Sequence, residues 1–143
     1  LNIVGSGPEK ENLKEFSLKN KLKINFLGNI NNEFLNSTIN NFDYFILCSL
    51  SEGLPKSLLE ALSAERICIG SNVTGISSII KDEINGFLSK NNEVHEISST
   101  IKRALNFKNK DLIKKNARET ILKDYDFESF YKKVNRLIDG ALN

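Results

Sequence analysis

The 143-residue chain contains no tryptophan, no methionine and a single histidine. His95, alone and on a polar helix start, has no partner of its own kind for a His-metal site and reads as a surface residue. The two cysteines, Cys48 and Cys68, both lie in apolar runs and read as isolated buried thiols of a reducing compartment. A charge excess is also missing: the net charge is +2, with acids and bases interleaved. That leaves no electrostatic case for nucleic acid or an anionic membrane. No apolar run approaches the roughly 18 residues that a membrane span needs, and the opening residues lack the charged-then-apolar pattern of a signal peptide. Abundant Asn, Ile and Lys beside absent Trp and Met reads as codon bias, not function.

What is present is ordinary for a globular protein, 40% hydrophobic and 27% charged residues. The length predicts one domain able to bury roughly 68% of its unfolded surface. The chain starts at Leu1 with a stretch that already reads as a buried strand, so it is expected to begin inside a fold.

Strand-like and helical stretches alternate for about ninety residues. "LNIVG" is a strand stopped by Gly5-Ser6-Gly7-Pro8, and Pro8 suits the first position of a helix. "KINFLG" (23–28) is a second strand, and "NEFLNSTIN" (32–40) a weak helix. "DYFILCS" (43–49) is a continuous apolar run, as in a strand buried on both faces. "PKSLLEALSAE" (55–65) is helical, "RICIGS" (66–71) a buried strand, "GISSIIKD" (75–82) a short helix, and "NGFLSK" (85–90) a turn and small strand. From about residue 93, three amphipathic helical stretches follow in succession, the last read to Leu142. The alternation predicts an α/β fold: a Rossmann-like parallel sheet with helices on both faces, followed by C-terminal helices. Ligands of such sheets sit beyond the carboxyl ends of the strands, so the turns after Val4, Leu27, Ser49 and Gly70 are expected to line one edge.

Two segments carry candidate chemistry. "GSGPEK" is no Walker loop, and its third glycine position is Lys10, so it is no dinucleotide fingerprint. Its glycines either serve a plain turn or let a ligand approach the backbone. In "SEGLPKSLLEAL", Glu52 and Glu60 stand eight positions apart around a helix start at Leu54 or Pro55. Free N–H groups and the positive dipole end there attract phosphate. An unpaired acid beside a phosphate is repulsive, so Glu52 suits hydroxyls further along a ligand. Glu60 lies about 7–8 Å down the helix, and its carboxylate suits a ribose diol. The plainer alternative makes Lys56 and Glu60 an ordinary i,i+4 pair worth a few tenths of a kcal/mol. Asp124-Tyr125-Asp126 has the spacing of a D-x-D metal motif but joins two helices, and Asp126 reads as the N-cap of the second.

These segments, taken in order, resemble the C-terminal half of GT-B glycosyltransferases, specifically the retaining glycosyltransferase family 4. The E-x7-E motif is Glu52 to Glu60. "IVGSGPEKENL", "INFLGNI", "DYFILCSLSEGLPKSLLEALSA", "NGFL" and "DYDFESFYKKV" follow the family's order and spacing over essentially all 143 residues. The resemblance implies a nucleotide-sugar-binding domain over residues 1–143. Glu52, the catalytic residue, would meet donor-sugar hydroxyls near the reacting carbon. Gly53, Leu54, Pro55 and Lys56 would hold sugar and diphosphate, and Glu60 the ribose, with Leu59 packing nearby. Gly28, Asn29 and Ile30 would border the base, while Gly5 and Gly7 would shape the loop beside the diphosphate. No metal or other cofactor is implied.

The implied reaction moves a hexose from a UDP- or GDP-sugar to a saccharide or lipid acceptor, in cell-surface polysaccharide or glycolipid biosynthesis. The enzyme is expected in the cytoplasm, with peripheral membrane association of its full-length form allowed. The family's first strand of this domain, its Arg/Lys phosphate clamp and its N-terminal acceptor domain belong upstream of Leu1. The chain is therefore expected to be inactive alone, with a gap or a non-native closure in its sheet between the first and third strands, where the missing strand belongs. Two segments depart from the family pattern. Glu65-Arg66-Ile67-Cys68 replaces Gly-Leu-Pro-Val, which takes away a tight turn, and Thr74-Gly75-Ile76-Ser77-Ser78 replaces Gly-Gly-x-Pro-Glu, which takes away an acid. A non-transferring nucleotide-sugar-binding or GT-B epimerase-like module is the alternative. A signalling receiver is disfavoured, because Gly and Ser stand where its clustered acids belong.

Overall fold

The computed structural model describes residues 1–141. Strands and helices alternate through the first ninety residues and give way to helices alone, and all strand pairs are parallel. The α/β reading therefore holds. The chain divides into two compact units, Leu1–Thr38 and the remainder from Ile39 onward. The sheet is interrupted, as expected: the strands form two sheets, one of two strands and one of three.

The first unit contains β1 (Asn2–Val4), α1 (Lys10–Lys19) and β2 (Asn25–Gly28), followed by the start of α2 (Asn32–Asn40). Strands β1 and β2 pair from Asn2 opposite Asn25 to Val4 opposite Gly28, with an irregularity that skips Leu27. Val4 and Leu27 are exposed. The opening strand is thus not buried as its composition suggested, because a two-stranded sheet offers too few neighbours to cover both faces.

The second unit contains β3 (Tyr44–Leu47), α3 (Lys56–Ser63), β4 (Ile67–Gly70), α4 (Thr74–Ser77), β5 (Phe87–Leu88), α5 (Val94–Asn106), α6 (Lys110–Asp124) and α7 (Phe127–Ala141). The end of the last helix as read, Leu142, lies outside the described residues. The sheet order is β3-β4-β5. Central β4 is buried at all four positions, as its short β-branched run requires. Ile67 and Ile69 join Phe87, Ala104 and Ile113 in one core cluster, with Tyr44, Ile101 and Phe107 packed against it.

The expectation that 43–49 is buried on both faces fails. Strand β3 is an edge of this sheet, its residues are half-buried, and Ile46 is exposed. Cys48, just past that edge strand, is likewise exposed rather than buried, whereas Cys68 on β4 is fully enclosed. Partial desolvation still pushes the Cys48 thiol upward, and full burial pushes Cys68 far more. Helix α4 is shorter than the 75–82 stretch suggested. The Lys81 amide donates to Asn85 Oδ1 at 2.7 Å, which turns the chain toward β5 instead of extending the helix. The helix α3 is held at its far end by α6, where Arg118 Nη1 donates to the Ser63 carbonyl at 2.9 Å.

Candidate functional site

In the first unit the two turns that follow the strands are tied together. Gly5, at φ +117°, donates its amide to the Gly28 carbonyl at 2.8 Å, and Gly28 itself stands at φ +69°. Ser6 Oγ donates to Asn29 Oδ1 at 3.1 Å. Gly7 accepts from the Lys10 amide at 3.2 Å as the chain enters α1. Ile30 follows, half-buried. Positive φ makes glycine the fitting residue at 5 and 28, while a side chain at Gly7 would meet open space. A cavity of about 230 Å³ is lined by Val4, Gly5, Ser6, Gly7, Pro8 and Lys10 together with neighbouring apolar side chains. The predicted residues Gly5, Gly28 and Asn29 thus adjoin one another, and Ser6, which the sequence did not single out, joins them.

In the second unit, Glu52, Gly53 and Leu54 occupy the loop between β3 and α3. Glu52 is half-buried, and Gly53 and Leu54 are exposed. Pro55 is the N-cap, extended at φ −74° and ψ +99°, so the helix proper begins at Lys56. The start read at Leu54 or Pro55 therefore moves by a residue or two. The ring fixes φ near the helical value, but ψ leaves Pro55 outside the helix. The Leu58 and Leu59 amides both donate to the Pro55 carbonyl, at 3.1 and 3.2 Å. Pro55 has no N–H, so Lys56 and Ser57 carry the orphan donors of this helix start. Leu59 and Glu60 follow on α3, both half-buried. Among the described residues Glu60 and Lys56 form no ion pair, so the i,i+4 alternative is not realised.

The Glu52 loop is built from three directions. Ser49 Oγ donates to Glu52 Oε1 at 2.6 Å. The Ser49 carbonyl accepts from Ser71 Oγ at 2.6 Å and from Asn92 Nδ2 at 3.3 Å. Ser71 is buried, just past β4. Gly75 on α4 packs so closely that a Cβ there would lie 2.2 Å from the Gly53 carbonyl oxygen and 2.4 Å from that of Glu52. Sequence reasoning gave none of Ser49, Ser71 and Asn92 a role. The signals were the turns after Ser49 and Gly70, expected at the ligand edge, and Gly75, a glycine inside a helical pattern.

Other sequence candidates stand apart. Asp126 caps α7, accepting from the Ser129 amide at 2.7 Å, and that bond holds its carboxyl below the usual range. His95 is exposed beside Glu93 and Glu96. Among the described residues no three His, Cys, Asp or Glu side chains gather as a metal cluster. No described helix is long and apolar enough to cross a membrane.

Comparison with known proteins places the chain in a family. The family model described as glycosyl transferases group 1 matches residues 1–120. The chain belongs to that family. It is 31% identical over 99% of its length to the Escherichia coli UDP-Gal:alpha-D-GlcNAc-diphosphoundecaprenol alpha-1,3-galactosyltransferase, of which it covers 37%. It is 29% identical, again over 99% of its length, to a Campylobacter jejuni GalNAc-alpha-(1->4)-GalNAc-alpha-(1->3)-diNAcBac-PP-undecaprenol alpha-1,4-N-acetyl-D-galactosaminyltransferase, covering 39% of it. The solved structure of Anabaena Alr3699/HepE in complex with UDP-glucose superposes with a TM-score of 0.81 at 17% identity, over 97% of this chain and 40% of that one. At that identity the likeness speaks for the fold alone. This glycosyl transferases group 1 chain has the fold of a GT-B C-terminal domain and spans about two fifths of the length of such relatives.

Proposed function

We propose that residues 1–143 form the donor-binding domain of a retaining hexosyltransferase of glycosyltransferase family 4. In this reading the full-length enzyme, in the cytoplasm or at the cytoplasmic face of the membrane, transfers a hexose from a UDP- or GDP-sugar. The acceptor is a saccharide or lipid, in cell-surface polysaccharide or glycolipid assembly. Family membership and the names of the relatives support it, and the observation that carries it is Glu60. A half-buried carboxylate in mid-helix, one turn beyond Lys56 yet unpaired with it, suits a pair of ligand hydroxyls better than a surface ion pair.

The roles follow from local chemistry. The orphan amides of Lys56 and Ser57, the positive end of α3 and the Lys56 ammonium receive the diphosphate and stabilise it as it leaves. Glu60 takes the ribose diol, with Leu59 beside it. Glu52 lies before the helix and faces the hexose, where its charge favours the positive character developing at the reacting carbon. Gly53, Leu54 and Pro55 shape the backbone around the sugar. For the first unit, the family resemblance assigns Gly5 and Gly7 to the diphosphate and Gly28, Asn29 and Ile30 to the base. No metal is required in this scheme.

Two variants of the full-length protein separate these roles. Glu60→Ala weakens nucleoside diphosphate and nucleotide-sugar binding alike, by roughly ten- to a hundredfold, the equivalent of about 1.5–3 kcal/mol for lost charge-assisted hydrogen bonds. Glu52→Gln leaves diphosphate binding nearly intact and lowers turnover much more, because an amide carries no charge to offset the one developing on the sugar. Calorimetry with the diphosphate and a transfer assay read the two effects. Equal loss of diphosphate affinity in both variants overturns this division of labour. Wild-type binding of the sugar nucleotide without any transfer favours the epimerase-like alternative.

A further inference from the structure

We infer that Ser49 is a positioning residue whose hydroxyl holds the Glu52 carboxylate in its working orientation. The inference rests on the reading of Glu52 given above, but its evidence is separate. The 2.6 Å bond from Ser49 Oγ to Glu52 Oε1 has the short length of a hydroxyl donating to an ionised carboxylate. The Ser49 backbone is itself fixed from two other elements. Its carbonyl accepts from Ser71 Oγ at the end of β4 and from Asn92 Nδ2 just before α5. Asn92 orients its amide toward this carbonyl even though its own buried Oδ1 then finds no hydrogen-bond partner among the described residues, an arrangement that costs free energy. A carbonyl gripped twice fixes the backbone from which the Ser49 hydroxyl reaches Glu52. Glu52, by contrast, sits on a loop beside exposed Gly53 and Leu54, where a free glutamate has several rotamers to sample. The tether removes that freedom before substrate arrives, which is how a loop acid becomes preorganised.

The division between carbonyl and hydroxyl makes the test clean. Ser49→Ala deletes the tether and leaves both carbonyl anchors in place, so the loop backbone stays where it is. In the full-length enzyme we expect Ser49→Ala to lower kcat about tenfold, the effect of one lost hydrogen bond to a charged group. KM for the sugar nucleotide and affinity for the free diphosphate should stay within about twofold, inside the scatter of independent effects. The deciding measurement is a double-mutant cycle with Glu52→Ala, where no carboxylate remains to be positioned. Ser49→Ala should then add less than about twofold. A full tenfold loss on the Glu52→Ala background, or a loss confined to diphosphate affinity, overturns the inference. If Glu52→Ala itself leaves turnover unchanged, the catalytic reading of Glu52 falls, and the tether is decided by the side-chain carboxyl 13C resonance of Glu52. That resonance should move in Ser49→Ala, and an unmoved one overturns the tether.

Discussion

Glu65 shows how one residue can hold a turn that its type disfavours. It sits at φ +59°, immediately after the Ala64 C-cap of α3. The Arg66 amide donates to the Ala61 carbonyl at 2.9 Å and the Glu65 amide to Leu62 at 3.1 Å. Those two bonds are the Schellman pattern, in which glycine usually fills the left-handed position. The sequence departure at Glu65-Arg66 therefore does not remove the tight turn; a charged residue occupies it under strain. Lys21 does the same after α1, at φ +53°, with Leu22 bonded back to Ser17 at 2.8 Å. A left-handed L-residue costs roughly 1–2 kcal/mol, and glycine's looser unfolded chain returns part of that. Glu65→Gly should raise stability by about 1 kcal/mol, seen as a higher denaturant midpoint at unchanged slope. A lower midpoint would show that the Glu65 side chain contributes more than its backbone strain removes.

At the scale of elements, helix and strand types were legible because periodicity reports them, whereas burial was not. Residues 43–49 and 67–70 are both continuous apolar runs, yet one is an edge strand and the other the sheet's centre. Strand order decides that, and no local pattern encodes it. The site divides in the same way. Glu52 and Glu60 stand out because carboxylates around a helix start are chemically conspicuous. Ser49 and Asn92 do not, since their meeting spans 43 residues of sequence and depends on β3, β4 and β5 lying side by side.

Gly75 is the element-scale counterpart, as it sets how closely α4 approaches the Glu52 loop. A Cβ at Gly75 collides with backbone oxygens of Glu52 and Gly53, so the loop or the helix must shift. Gly86 offers a matched control, since its Cβ would press on the Cys68 carbonyl at 2.9 Å, within the sheet. Both Gly75→Ala and Gly86→Ala should lose about 1–3 kcal/mol of stability by overpacking. Only Gly75→Ala should also weaken nucleoside diphosphate binding, because it displaces the backbone that leads into α3. Equal binding by the two variants at a temperature where both are folded would show that the α4 contact does not set the loop.

At the scale of the second unit as a whole, two polar clusters join distant elements, and physical chemistry ranks them opposite to their appearance. The more conspicuous is Arg103 on α5. It reaches Asp82 at 3.0 and 3.2 Å, Glu83 at 2.6 Å and the Leu88 carbonyl at 3.1 Å, and lies 5.9 Å from the centre of the Phe87 ring. The hydrogen bond to Asp82, more than the one to Glu83, holds the guanidinium even more firmly protonated than usual. These charges are solvent-exposed to 37–49%, and water and salt screen such pairs. The quieter cluster is Asn85, buried and satisfied at both ends of its amide. It accepts from the Lys81 amide at 2.7 Å and donates to the Ile79 carbonyl at 3.0 Å and to Thr120 Oγ1 on α6 at 2.9 Å. Removing it strands the buried Ile79 carbonyl, at about 1–3 kcal/mol, and takes the partner of the Lys81 amide, while Thr120 keeps its bond to the Asn116 carbonyl at 2.8 Å. Asn85→Ala should therefore destabilise the protein by about 2 kcal/mol or more, independently of salt. Arg103→Ala should cost nearer 1 kcal/mol, and less still in about 1 M salt, where screening acts over roughly 3 Å. Urea unfolding of both variants at low and high salt reads all four values. If the Arg103 variant proves the less stable at both salt concentrations, the packing of its stem and guanidinium over Phe87, rather than its ion pairs, is what joins α5 to β5.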